Sequence, residues 1–501
     1  MSNFSSMRRF AIVFVLLVGL FVVPVVRSDA AASRCGSLDL PETGLQGEVP
    51  RVDQLTGRAE HGYNCGLALV GHVSLQGASA NMAWAGHCAY IATVGTGINV
   101  VDVSDPQHPV VTTTLHGSGS DLSIETIAAK QVGNRSVLVA GRYGLTFGVP
   151  LAAPMDIYDA TDCAHPKFID TFMFPENIHN LSFSPDGNRV YATLPLQVVD
   201  MHDLAHPVYL GDLEKDIPQP NAFEQAGLPA SYLAHEVYTS ADGNILYLGG
   251  QTPMSFAWFT IVDITGWPAR KPVVLSQVDG RGHSVRLAHM NGRTYVLHSE
   301  ESIVGPTAKG CVPADANPFG GASQPWLSDV TDPTHPQMRV SQMTLAINDP
   351  ANCAQQVVDG ENASVHYHDV DNEAHTTFAM ASMWNAGLRI FDVRHPLQPK
   401  EVAYFNPGMF EKPGDDGLLD KAWGHIHYDQ SSGQIWFATQ SGGFWVVELE
   451  PQLRAALGLP RVHVLHPTGS APRPADTIGV LGAPVITTDA YYCTLGSVRT
   501  A

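Results

Sequence analysis

The chain has 501 residues, of which 44% are hydrophobic and 15% charged, and its formal net charge is −20. That is enough apolar material for a large core, and Lys and Arg form no basic stripe, which argues against nucleic acid or an anionic membrane surface as a partner. Its 46 Gly and 35 Pro are scattered, the pattern of a turn-rich β protein rather than of low complexity.

The N-terminus opens with Arg8 and Arg9, an apolar run from Phe10 to Val26, and the small residues of "RSDAAAS". This order describes a secretory signal peptide, with cleavage expected near Ala30–Ala32. The run is interrupted by Gly19 and Pro24 and is short for a bilayer span, so no membrane span is expected after cleavage. The protein is therefore expected to be secreted or periplasmic. Its seven cysteines are then able to oxidise, and an odd number leaves one thiol over. Cys311 and Cys353, in irregular segments, are candidates for a bridge, and the other pairings stay open. Sequons stand at Asn134, Asn180 and Asn362.

Beyond the extension at residues 31–64 the chain repeats itself. The pieces "INVVDVSDPQHP", "MDIYDATDCAHP", "LQVVDMHDLAHP", "FTIVDITGWPARKP", "WLSDVTDPTHP", "LRIFDVRHPLQP" and "FWVVELEPQ" each join a β-rich run to a turn. Each carries an acidic residue in register: Asp102, Asp159, Asp200, Asp263, Asp329, Asp392 and Glu448. These side chains are expected to bond backbone amides of the turn. The spacing of roughly 41 to 66 residues is that of propeller blades. Hairpins precede the repeats, with DGN or NG turns in "SPDGNRV", "SADGNIL" and "HMNGRTY" that supply the positive φ of tight turns.

The predicted fold is all-β: a seven-bladed β-propeller of four-stranded antiparallel blades over residues 65–454. The last repeat lacks an outer strand before the Pro-rich tail at 455–501. The segment "CGLALVGHVSL" is expected to fill that place and close the ring.

The units "VVDVSDPQHP" and "LRIFDVRHPLQP", with the opening "LALVGHVSL", resemble the LVIVD-repeat family of exported β-propellers. The resemblance runs from Cys65 to about Leu449 and implies the fold; it does not name a chemistry.

Twelve residues before the aromatic of the second strand stands a histidine in five repeats: His179, His235, His283, His366 and His425. In the second repeat Glu125 stands at or near that place, and in the first Asn81. The innermost strand of a blade borders the central channel. Side chains at i and i+2 share a face, which puts His368 and His427 one step further along the same wall. A lone histidine on a half-buried strand is usually a bonded core residue. Five in one register, on strands that otherwise differ, are expected to hold one transition-metal ion, with Fe or Cu favoured and Mn or Zn open. In contrast His108, His165, His206 and His335, which recur before Pro at the other end of the blade, read as turn residues.

Such a ring is similar in idea to the sites of carotenoid-cleaving oxygenases, methanethiol oxidases and oligogalacturonate lyases, which hold iron, copper and manganese. The resemblance implies a metalloenzyme. Here Glu125 is expected to orient a ligand histidine, and His368 and His427 to complete the coordination or move protons. Long, partly apolar loops on the same end favour a small, partly apolar substrate. The expected activity is that of an oxidoreductase. The alternatives are a metal-dependent lyase or isomerase, and a non-catalytic propeller that binds at a surface.

Overall fold

In the computed structural model the described residues are 35–142, 152–217, 234–250, 258–279, 282–299, 323–410 and 418–465. The expected signal segment and most of the C-terminal tail lie outside them, as do most of the long loops.

Turn chemistry defines the blades first. At Asp186-Gly187-Asn188 and Asp242-Gly243-Asn244 the glycine takes a φ of 73°. The aspartate accepts from the asparagine amide at 3.1 Å in both turns. At Asn291-Gly292 both residues have positive φ, 53° and 74°, as a tight two-residue hairpin requires. In six of the seven repeats the acidic residue caps the next turn. Asp102, Asp159, Asp200, Asp263, Asp329 and Asp392 each accept a backbone N–H from two residues on, at 2.8–3.0 Å. Glu448 differs and accepts from Leu465 N at 3.0 Å.

Seven antiparallel blades result, each written here as strands a to d from the axis outward. Strand a is Ala78–Ala85 in blade 1, Ile127–Val132 in blade 2, Leu181–Phe183 in blade 3 and Glu236–Thr239 in blade 4. It is Ser284–Met290 in blade 5, His368–Val370 in blade 6 and His427–Asp429 in blade 7. The order a-b-c-d follows the chain in every blade but the last. There strand d is Leu67–Val73, paired with Gly443–Leu449, so the N-terminal strand closes the ring as the sequence implies. A bulge interrupts the pairing of c with d in all seven blades. Each bulge adds local twist, which lets the outer strands wrap against the next blade.

The core is divided into seven layers, each between two neighbouring blades. Blades 7 and 1 meet through Val70, Met82, Ile91, Trp436 and Phe444, and blades 6 and 7 through Phe405, Ile426, Phe437 and Trp445. Strand a thus turns its side chains towards neighbouring blades and its backbone edge towards the axis.

Blade 6 has a fifth strand, because Tyr63–Cys65 pairs with Lys400–Asn406. A disulfide joins Cys35 to Cys65, and a second joins Cys88 in blade 1 to Cys163 in blade 2. Cys353 is also disulfide-bonded; Cys311 lies outside the described residues. Buried Arg389 holds the N-terminal segment to blade 6 by donating to Glu42 at 2.5 Å and Glu401 at 3.1 Å. No helix among the described residues is long and apolar enough to cross a membrane.

Candidate metal centre in the propeller channel

Four of the histidines enter strand a through the same ladder position. The backbone N–H groups of His179, His235, His283 and His366 donate to carbonyls of their own strands b, those of Thr193, Gly249, Ser299 and Ser382. Hydroxyls of the preceding blade hold two of them, Thr126 on His179 O at 2.7 Å and Thr193 on His235 O at 2.8 Å. This common register brings four imidazoles and Glu125 together. All five are buried, none above 3% exposed.

Glu125 stands among these rings as a potential ligand itself. Its Oε2 lies 3.1 Å from His179 Nε2 and 3.6 Å from His235 Nε2, and its Oε1 lies 3.3 Å from His366 Nε2. His179 Nε2 and His235 Nε2 are 2.5 Å apart. The His235 and His283 rings are tilted by 30° with centroids 3.7 Å apart, and those of His283 and His366 are 4.8 Å apart.

Backbone carbonyls set two tautomers. His235 Nδ1 lies 3.1 Å from His283 O and His366 Nδ1 lies 2.9 Å from Trp423 O. A carbonyl only accepts, so Nδ1 carries a proton and Nε2 is the nitrogen turned to Glu125, the one that would bind a metal once it is deprotonated. Burial opposes a charge on Glu125, yet the imidazoles of His179, His235 and His366 hold it well below the ordinary carboxylate range. Burial, and then the neighbouring His235 and His366, holds His283 well below the usual histidine value. A carboxylate among imidazoles is a competent ligand set once the ring nitrogens that face it are deprotonated.

His425 stands elsewhere, although its sequence spacing matches the other four. Blade 7 bends at Gly424, where a Cβ would lie 2.7 Å from Asn81 Cα of blade 1. The His425 amide donates to Asn81 Oδ1 at 3.1 Å, so it leaves the ladder position of the others. Its ring joins a second polar layer built on Arg286. That guanidinium donates to Asp369 Oδ1 at 2.6 Å, Glu236 Oε1 at 2.7 Å and His425 Nδ1 at 2.7 Å. Burial works against the Glu236 charge, but Arg286 and His425 keep its pKa far below normal.

The second step of the expected wall is also arranged differently. Burial, partly offset by Glu236, takes His368 down to about 3. Among the described residues no hydrogen bond, ion pair or ring contact joins it to the four histidines. His427 packs between blades 7 and 1, with its ring 4.6 Å from Trp84 and 4.8 Å from Trp436. The reason is the orientation of strand a: successive side chains point between blades, so a histidine two residues on does not extend the axial cluster.

Tyr367 separates the two layers and is fully buried. Its ring centroid lies 4.6 Å from His366 and 4.3 Å from His425. Its hydroxyl donates to Glu125 Oε2 at 3.5 Å and accepts from Asn180 Nδ2 at 2.9 Å. On the other side of His366, Trp384 and Trp423 stack at 5.7 Å, with Lys421 Nζ 5.2 Å from the Trp384 ring. The expected ring did not include Tyr367, Asn180, Glu236, Arg286 or Asp369. Their signal was charged or polar residues inside otherwise apolar innermost strands.

The turn histidines behave as their position implies. His108, His206 and His335 are exposed and lie 2.9–3.2 Å from the aspartate three residues earlier.

Residues 76–115, which form blade 1, match the LVIVD repeat. The chain carries an LVIVD repeat. Among solved structures the LVIVD-bearing propeller is similar to the computationally designed Ika8 protein, with 12% identity, a TM-score of 0.40, and coverage of 76% of this chain and 98% of that one. It is also similar to a chain of the mitotic checkpoint complex, with 10% identity, a TM-score of 0.42, and coverage of 77% and 93%. No curated protein matches it in sequence.

Proposed function

We propose that this chain is an exported metal-dependent enzyme, an oxidoreductase acting on a small, partly apolar molecule at a transition-metal site of Glu125, His179, His235, His283 and His366. The observation that carries the reading is the donor set. Two histidines and Glu125 place one ligand atom each within 4.8 Å of one another, once with His179 and His235 and again with His283 and His366. Two imidazoles and one carboxylate form the set that non-haem iron takes when it keeps positions open for oxygen or substrate.

A bound redox ion supplies electron transfer to or from substrate. The chain's residues do the rest: His235 and His366 are held by carbonyls, Tyr367 fixes Glu125, and the inter-blade core keeps bulk water from the ligands. Trp384 and Trp423 give the site an apolar wall, which suits a partly apolar substrate. Export is supported by the N-terminal apolar segment and by the disulfides.

A second reading is a lyase or isomerase with the ion as Lewis acid, favoured by the Tyr367 hydroxyl beside Glu125 as a proton-carrying group. Elemental analysis of protein exported without a histidine tag tests both. Iron or copper supports the oxidoreductase, and zinc or manganese supports the lyase. Less than about 0.2 ions per chain after reconstitution overturns both, since a preformed multi-imidazole site fills readily.

A further inference from the structure

The ligand atoms of the centre fall into two triads that share a single residue. One is Glu125, His179 and His235, and the other is Glu125, His283 and His366. Glu125 also divides its oxygens: Oε2 faces His179 and His235, while Oε1 faces His366. A carboxylate that serves one ion presents one or both oxygens to the same point. Here one oxygen addresses His179 and His235 and the other addresses His366, a member of the second triad.

We infer that the channel holds a pair of transition-metal ions bridged by the Glu125 carboxylate. One ion takes His179, His235 and Oε2, and the other takes His283, His366 and Oε1. The inference rests on the proposed metal site and extends it from one ion to two. Each half is complete in donor type, because each has two imidazoles and one carboxylate oxygen, a set that iron and manganese accept. A bridge also answers the repulsion between two buried cations, since it places one negative charge between them in a low-dielectric interior.

The surroundings fit a bridging carboxylate better than a terminal one. Glu125 is buried at 3% exposure, and both of its faces are occupied by histidines. Tyr367 donates to Oε2 and is itself held by Asn180, which limits rotation of the carboxylate about its axis. Rotation is what interchanges the two oxygens, and fixing it keeps each oxygen with its own histidine pair. Two-metal sites commonly hold their ions about 3.5–4 Å apart and clamp a substrate oxygen between them. The substrate class that follows is a small molecule with an oxygen donor, bound across both ions.

The test is stoichiometry on the full exported chain. Metal-free protein without a tag is titrated separately with Mn2+, Co2+ and Zn2+, and bound metal per chain is counted by elemental analysis. The paired site predicts two ions per chain with at least one of these metals, and a spin-coupled rather than an isolated Mn2+ resonance. His366→Ala is expected to lower the count from two to one and to restore the isolated resonance. Glu125→Gln is expected to abolish the coupling. A limit of one ion per chain with all three metals overturns the pair and leaves the single-ion reading standing. No bound ion with any of them overturns both. Circular dichroism of each variant separates loss of a ligand from loss of the fold, and the wild-type count decides the question if a variant fails to fold.

Discussion

Arg286 in blade 5 donates to Asp369 in blade 6 at 2.6 Å and, through a second nitrogen, to Glu236 in blade 4 at 2.7 Å. One cation thus ties three innermost strands together below the histidine cluster. Removing it leaves two buried carboxylates without their counter-charge, which typically destabilises a protein by about 3–5 kcal/mol. Arg286→Met is expected to lower stability by that amount in chemical denaturation. An Arg286→Met, Glu236→Gln, Asp369→Asn triple variant should recover much of it. A single variant as stable as the parent shows that the layer contributes nothing to folding.

The contact of Tyr367 with Glu125 reaches across 242 positions of sequence. Partners of a metal ligand usually change affinity about 10–100-fold when removed. Tyr367→Phe keeps the ring against His366 and His425 and deletes only the hydroxyl. Metal affinity is expected to fall within that range while the circular dichroism spectrum stays unchanged. Competition with a chelator of known affinity measures it, and an unaltered affinity excludes Tyr367 from the site.

The pH dependence of stability follows from two histidines outside the cluster, His368 buried and His427 half-buried. Burial, slightly offset by Asp429, lowers His427 to about 4, and burial likewise lowers His368 to about 3. An unfolded histidine titrates near 6.5, so between about 6.5 and 4 the unfolded chain binds more protons than the folded one. Stability from these residues is therefore fully present above pH 6.5 and is lost as pH falls towards 4. The ceiling for His427 is about 3 kcal/mol, from a shift of roughly 2.5 pH units. His427→Phe keeps an aromatic ring between Trp84 and Trp436 and should flatten the slope of unfolding free energy across that window. An unchanged slope excludes His427 as its source.

The architecture was legible because it is a repeat property. Period, turn residues and the acidic residue of strand c recur seven times, so each reading was checked by the others. The closing strand was legible from what the last repeat lacked. The bulge between c and d was not, since any residue at those positions satisfies a two-against-one pairing. The site was legible only in part. A constant offset from the strand-b aromatic brings His179, His235, His283 and His366 together because all four enter the ladder at one position. His425 keeps the offset but leaves the ladder, because Gly424 allows blade 1 to come close and Asn81 takes its amide. Sequence spacing measures distance along a strand and is blind to a bend within it. The sequence places Glu125 at or near the ring and expects it to orient a ligand histidine; that three histidines face its carboxylate shows only in the geometry.

The Cys88–Cys163 disulfide makes a prediction that also bears on export. It joins the second strand of blade 1 to the turn after the third strand of blade 2, 75 residues on. The two blades already share a core that includes Tyr90, Ile98, Leu138 and Tyr158. The bond therefore acts less by adding native contacts than by restricting the unfolded chain, an effect of about 2–4 kcal/mol in typical cases. A Cys88→Ser, Cys163→Ser variant should fold to the same propeller and unfold at lower denaturant by that amount. The wild type should lose at least that much when reduced, since reduction also opens Cys35–Cys65 and the disulfide of Cys353, and the variant should not respond to reductant at this bond. Equal stability of oxidised wild type and variant means that blade packing alone fixes this end of the ring. The same pair gives a compartment test: protein made in a reducing cytosol should match the reduced wild type, and protein recovered after export should match the oxidised wild type.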